Sequence, residues 1–184
     1  MLDLLKKTLK SAPIIKRGQY DYFIHPVTDG IPRVEPKLLC EIADEIIKNC
    51  GTDFDVIVTM EAMGIHISTA LSIATGIPVN IIRKKQYWLP GEVVLDQETG
   101  YSKGKLYLNE IKKGDRVLIV DAVISTGGTM VATIGGLEKA GAKIQDIICV
   151  IERGSGVEIV KNKTGRDVKT LVKVEVAGSG VNLM

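Results

Sequence analysis

The chain has 184 residues, enough for one compact domain with a sizeable core. Its 24 Lys and Arg nearly balance 22 Asp and Glu, which argues against a broad nucleic-acid-binding surface and confines any cationic site to a local cluster. Three cysteines (Cys40, Cys50, Cys149) without a CxxC pair, and only two histidines, argue against a disulfide framework, a zinc ribbon or a histidine-based metal site.

A cytoplasmic protein with no membrane partner is expected. The N-terminus lacks the apolar core of a signal peptide, and no apolar run reaches the roughly 20 residues of a membrane span. Leu2, Leu5 and Leu9 recur at helical spacing over residues 2–10 and predict a short helix packed on the body. Residues 13–36 are turn-rich and hold several of the few aromatics, Tyr20, Tyr22 and Phe23, followed by His25. This is either a surface clasp or a lid over a flat ligand, and His25 alone is equally a hydrogen-bonded structural residue.

From Pro36, apolar Leu38, Leu39, Ile42, Ile46 and Ile47 predict a helix ending near Asn49 to Gly51. A buried strand follows over 54–60, then Glu61 to Gly64, a helix closed by Gly76, and a second strand over 78–82. This βαβ unit delivers Arg83, Lys84 and Lys85 at a strand's carboxyl end, where open α/β sheets bind ligands. The three cations suit a diphosphate, or else form a solvated basic corner. Residues 86–104 predict a hairpin or flap over an active site, with a short pairing strand at 105–108.

The most informative stretch runs from Arg116 to Thr129. Val117 to Val120 read as a buried parallel strand ending at the carboxylate of Asp121. Beyond it, Gly127 and Gly128 allow close backbone approach, and Ser125, Thr126 and Thr129 bring hydroxyls to the start of a helix predicted over 130–140. Such a loop can cradle a phosphate, or it is a plain glycine turn into a capped helix. A further strand over 147–151 delivers Glu152 and Arg153 before a glycine-rich loop, and an amphipathic strand lies around 171–176.

Together, residues 117–129, Met60 to Ile65 and Ile82 to Lys85 resemble the type I phosphoribosyltransferases over nearly the whole chain. Among these, the resemblance extends to the adenine and xanthine enzymes and, most closely, to the archaeal hypoxanthine/guanine enzymes. It implies a single α/β domain, with a central parallel sheet flanked by helices, a small hood from about 13–34 plus part of the tail, and a flap at about 86–104. Ser125, Thr126, Gly127, Gly128 and Thr129 would hold the 5′-phosphate of phosphoribosyl pyrophosphate, and Asp121, the expected catalytic carboxylate, would face the ribose hydroxyls. Glu61, Ala62, Met63 and Gly64 would wrap the pyrophosphate, with Arg83, Lys84 and Lys85 at the flap entrance. Arg153, Phe23 and His25 would meet a 6-oxopurine base, since a guanidinium donates to a 6-oxo oxygen but cannot accept from adenine's amino group. The implied reaction is purine salvage, in which the phosphoribosyl group passes to hypoxanthine or guanine. Mg²⁺ would be held mainly by substrate oxygens, and a homodimer is implied.

Two positions depart from the family pattern. Ala122 stands where a second acid is usual, so Ala122→Asp is expected to improve turnover or the Michaelis constant. Ser125 stands where some relatives carry an aspartate near the base, which leaves Glu92, Asp96 and Glu98 as substitute acids, Glu92 foremost. The alternatives are an adenine enzyme, suggested by Leu89-Pro90-Gly91, and a non-catalytic regulator that binds phosphoribosyl pyrophosphate.

Overall fold

The computed structural model describes residues 2–18, 20–98, 103–178 and 180–184. The flap apex at 99–102 and the side chains of Tyr20 and Glu98 lie outside the described residues.

Helix α1 (Asp3–Lys10) buries Leu5 and Leu9, and Glu41 accepts from the free N–H groups of Leu4 and Leu5 at 3.0 and 2.9 Å. The turn-rich segment proves more regular than its composition suggests. It forms an antiparallel hairpin, β1 (Ile14–Arg17) with β2 (Tyr20–Phe23), then a one-turn helix α2 (Pro26–Asp29). Helix α3 (Pro36–Cys50) begins on a proline, whose missing N–H costs nothing there, and buries Leu38, Ile42, Ala43 and Ile46.

The βαβ unit follows as β3 (Val56–Met60), α4 (Gly64–Thr75) and β4 (Val79–Ile82). The flap region is a hairpin, β5 (Val93–Glu98) against β6 (Lys103–Leu108). The phosphate motif spans β7 (Arg116–Ile124) and α5 (Gly128–Lys139), and the chain closes with β8 (Lys143–Arg153), α6 (Gly156–Thr164), β9 (Lys169–Ala177) and β10 (Gly180–Leu183).

The central sheet has the order β10-β9-β8-β7-β3-β4, parallel except for the edge pair β10 and β9. From β3 the chain winds outward to β4, then returns to β7 and winds the other way through β8 to β9. The switch therefore falls between β3 and β7, whose carboxyl-end loops diverge and leave a crevice. Apolar residues fill both faces. Leu118, Val120 and Ala122 of β7 pack with α1, α3, α4 and the hood, whereas Val117, Ile119 and Ile124 pack with the β5–β6 hairpin, α5 and α6.

Two expectations need correction. Strand β7 does not stop at Asp121 but continues to Ile124, because Val123 and Ile124 still pair with Ile151 and Glu152 of β8. The glycine-rich loop after Arg153 is shorter than expected: Gly156 already opens helix α6, which is capped by Gly165 in the left-handed conformation.

Candidate active site

The crevice at the switch point is formed by the loop after β3, at Glu61 to Gly64, and the loop after β7, at Ser125 to Thr129. Asp121 lies partly exposed in β7 and lines a depression of about 130 Å³ with Val123, Ile124, Ser125, Thr126, Gly127, Thr129 and Met130. Burial pushes its carboxyl up to about 7, against the Ala122 N–H that donates to it at 2.7 Å. Gly64 packs against both strands: a Cβ there would stand 1.9 Å from Thr59 Oγ1 of β3 and 3.2 Å from Asp121 Oδ1 of β7. Any larger residue there would push into Thr59 and the Asp121 carboxylate.

The loop after β7, expected to hold a phosphate, is shaped by a backbone contact. Gly127 has φ +74° and caps α5, and a Cβ on it would lie 2.7 Å from the Gly156 carbonyl. A Cβ on Gly156 would in turn lie 2.7 Å from the Ser125 carbonyl. The loop preceding α6 thus packs directly on the phosphate loop, which leaves the N–H groups of α5's first turn at the depression. Hydroxyls and backbone N–H groups suit a phosphate, and the carboxylate oxygens suit a Mg²⁺ carried with it. Among the described residues no group of three His, Cys, Asp or Glu could hold a metal by itself.

On the other side of the crevice, Glu61 pairs with the Arg83 guanidinium, tying the loop after β3 to the end of β4. Arg83 also bridges to Tyr107 of β6, donating its N–H to the Tyr107 carbonyl at 3.0 Å and accepting at 2.7 Å. Lys84 and Lys85 are exposed, and the Arg83 and Lys85 cations lie 6.0 and 5.9 Å from the centroid of the Tyr87 ring. Ala62 and Met63 lie in the turn between, joined to Glu61 by a cis peptide.

The base-side residues divide. Arg153, at the end of β8, lines a cavity of about 390 Å³ with Gly154, Ser155 and residues of β9. Ser125 and Thr126 line this cavity as well as the phosphate depression. The Arg153 guanidinium donates to the Asp21 carbonyl at 2.5 Å and sits 5.7 Å from the Phe23 ring centroid. Phe23 is only 3% exposed, so it seats Arg153 rather than offering a stacking face to a ligand.

His25 is a clear correction. Its ring is completely buried, accepts from the Val27 N–H at 3.2 Å through Nδ1 and meets Thr8 Oγ1 at 2.8 Å through Nε2. It caps α2 and ties it to α1, with no face left for a base. Glu92 is a second correction. It accepts from the Tyr87 N–H at 3.0 Å and from Asn109 Nδ2 at 3.1 Å, closing the foot of the hairpin away from the residues that line either cavity. Asp96 is exposed on β5. Ala122 is a third. Its side chain is fully buried in the core, so the acid expected to help there would be driven into apolar packing.

Sequence reading missed Thr59, Gly156 and Gln97. Gln97 alone had a local signal, because Val93, Leu95 and Gln97 alternate on one face of a strand.

Solved structures share this architecture. Adenine phosphoribosyltransferase from Thermoanaerobacter pseudethanolicus superposes with a TM-score of 0.76, covering 94% of this chain and 99% of that one, at 23% identity. The enzyme of the same name from Trypanosoma brucei gives 0.77 at 19% identity, over 92% and 79%. At such identities the likeness is one of fold. Sequence relatives are much nearer: a hypoxanthine/guanine phosphoribosyltransferase of Methanothermococcus okinawensis is 62% identical over 183 residues, 100% of both chains. One from Methanocaldococcus vulcanius is 60% identical over 182 residues, covering 98% of this chain and 100% of its own. Residues 35–183 match the phosphoribosyl transferase domain, and the chain belongs to that family.

Proposed function

We propose that the chain transfers the 5-phosphoribosyl group of phosphoribosyl pyrophosphate to hypoxanthine or guanine, giving IMP or GMP and pyrophosphate. The observation that carries this reading is the switch-point crevice, where Asp121 and a hydroxyl-rich loop opening into α5 share a wall with the cavity that Arg153 lines. Full-length identity to relatives named for that activity supports it.

In the reaction, the bond from the anomeric carbon to the diphosphate oxygen breaks, its electron pair leaving with pyrophosphate. A purine ring nitrogen bonds to the same carbon and loses its proton. Ser125 to Thr129 hold the 5′-phosphate, and Asp121 accepts from the ribose hydroxyls. Burial raises this carboxyl to about 7, and a Mg²⁺ held beside it would favour the ionised form that accepts from the ribose hydroxyls. Asp121, the carboxylate lining the depression, and substrate oxygens would hold Mg²⁺, which would supply positive charge to the diphosphate leaving group. Lys84 and Lys85 add positive charge at the entrance, and Arg83 joins them once it exchanges Glu61 for phosphate. These residues work by positioning and electrostatics on a preformed frame.

The protein acts as a homodimer in the cytoplasm. An apolar face between α3 and α4, lined by Leu39, Ile65, Ala70 and Ile73, suits a second copy, and Ile73 is 81% exposed. Free thiols at Cys40, Cys50 and Cys149 fit a reducing compartment, and among the described residues no helix is long and apolar enough to cross a membrane.

A purine panel with phosphoribosyl pyrophosphate and Mg²⁺, read as nucleotide formed, tests the reading. IMP and GMP are expected to exceed AMP. AMP as the main product would make this an adenine enzyme, and binding without pyrophosphate release would make it a regulator.

A further inference from the structure

One contact reaches the phosphate loop from outside the crevice. Nε2 of Gln97, on β5, donates to Oγ1 of Thr129 at 2.6 Å. Thr129 is the second residue of α5 and lines the phosphate depression. Gln97 is held in place by its neighbour on the same strand face. Leu95 is 4% exposed and packs so closely on α5 that a Cβ on Gly136 would fall 2.0 Å from its Cδ2. The hairpin is therefore docked on α5, and the Gln97 amide is delivered to the helix's first turn.

A threonine hydroxyl has one proton and two lone pairs. An amide that donates to the oxygen occupies a lone pair and leaves the O–H to point elsewhere. The depression is the polar space that Thr129 faces. We infer that Gln97 is a positioning residue: by donating to Thr129 Oγ1 it turns the Thr129 proton toward the bound phosphate, and it links the flap hairpin to occupancy of the phosphate site. The inference rests on the phosphate reading of Thr129. It also gives the hairpin a role at the end of the substrate opposite the diphosphate.

The test is steady-state kinetics with phosphoribosyl pyrophosphate on the wild type, Gln97→Ala, Gln97→Glu, Thr129→Val and the double variant Gln97→Ala/Thr129→Val. Gln97→Ala is expected to raise KM for phosphoribosyl pyrophosphate about fivefold, the loss of one neutral hydrogen bond, with kcat little changed. Gln97→Glu should lose more, because a carboxylate can only accept, drawing the Thr129 proton away from the phosphate and adding like charge. In the Thr129→Val background, Gln97→Ala should add nothing, since the hydroxyl it acts through is gone. The inference is overturned if Gln97→Ala leaves KM unchanged, if glutamate serves as well as glutamine, or if the two losses multiply. If Thr129→Val itself leaves KM unchanged, the phosphate reading of that residue fails, and the inference with it.

Discussion

His25 makes the stability of the hood depend on pH. Its Nδ1 accepts from the Val27 N–H, so the ring hydrogen stands on Nε2 and goes to Thr8 Oγ1, whose own proton goes to the Leu4 or Leu5 carbonyl at 2.9 or 3.0 Å. Protonating Nδ1 would set one N–H against another and place a charge in packed apolar surroundings. Burial lowers the pKa from 6.5 to about 4, against the opposing pull of Asp29. Because the folded value lies below the unfolded one, the unfolded chain binds the proton more readily. The contribution to stability is complete above about pH 6.5 and is lost as pH falls toward about 4. At 1.36 kcal/mol per unit the shift corresponds to about 3 kcal/mol. Urea unfolding of the wild type and His25→Asn, from about pH 7.5 to about pH 4, reads this difference. Asparagine can cap α2 but cannot titrate, and carboxylates common to both proteins cancel. The wild type should lose about 2–3 kcal/mol relative to the variant across that window. A constant difference would mean that His25 is not held neutral by the fold.

Three further outcomes follow from the geometry. Arg153→Ala should reduce use of hypoxanthine relative to adenine by about 10-fold or more, the scale of a lost hydrogen bond from a charged group, as read from the ratio of kcat/KM values. An unchanged ratio removes Arg153 from base recognition. Ala122→Asp should lower the melting temperature by about 6–12 °C, because a carboxylate enters the core without a partner at a cost of roughly 3 kcal/mol. An unaltered melt with a lower KM would restore the ribose role that the motif suggested. Ile73→Glu should shift sedimentation toward the monomer, since a buried charge on an apolar interface costs several kcal/mol, and an unchanged mass would place the contact elsewhere.

The sheet and the turn from β7 into α5 were legible in the sequence because their signals are local. Val117 to Val120 form the near-continuous apolar run of a strand buried on both faces, and Gly127 stands where the chain must turn into α5. Helix α6 was hidden. It opens on Gly156, a poor helix former, and buries only Gly156 and Val160, with Lys161, Asn162 and Lys163 following directly. His25 and Glu92 were misassigned because side-chain chemistry does not reveal burial. Their roles are set by Thr8, Asn109 and backbone N–H groups made close by the fold. The acid missing at Ala122 was read against the family pattern, which carries no information on burial. With the strand continuing to Ile124, position 122 belongs to the core.

The same backbone contact explains why the proposed base site was harder to read than the proposed phosphate site. Arg153 directly precedes Gly154, Ser155 and Gly156, and this loop rests on the Ser125 and Gly127 backbone with no side chain between. The distance between the phosphate cradle and the base-side cation is thus set by main chain against main chain, through glycines nearly 30 residues apart in sequence. On the far side, the cation is seated by the hood, through the Asp21 carbonyl and the Phe23 ring. Phosphate recognition can be carried by one contiguous loop because helix N–H groups and hydroxyls suffice for it. On the proposed reading, base recognition needs β8, the loop before α6 and the hood together, and a change in any one of them would move Arg153 relative to the sugar. Selectivity among purines should therefore respond to substitutions in the hood that leave the phosphate loop untouched.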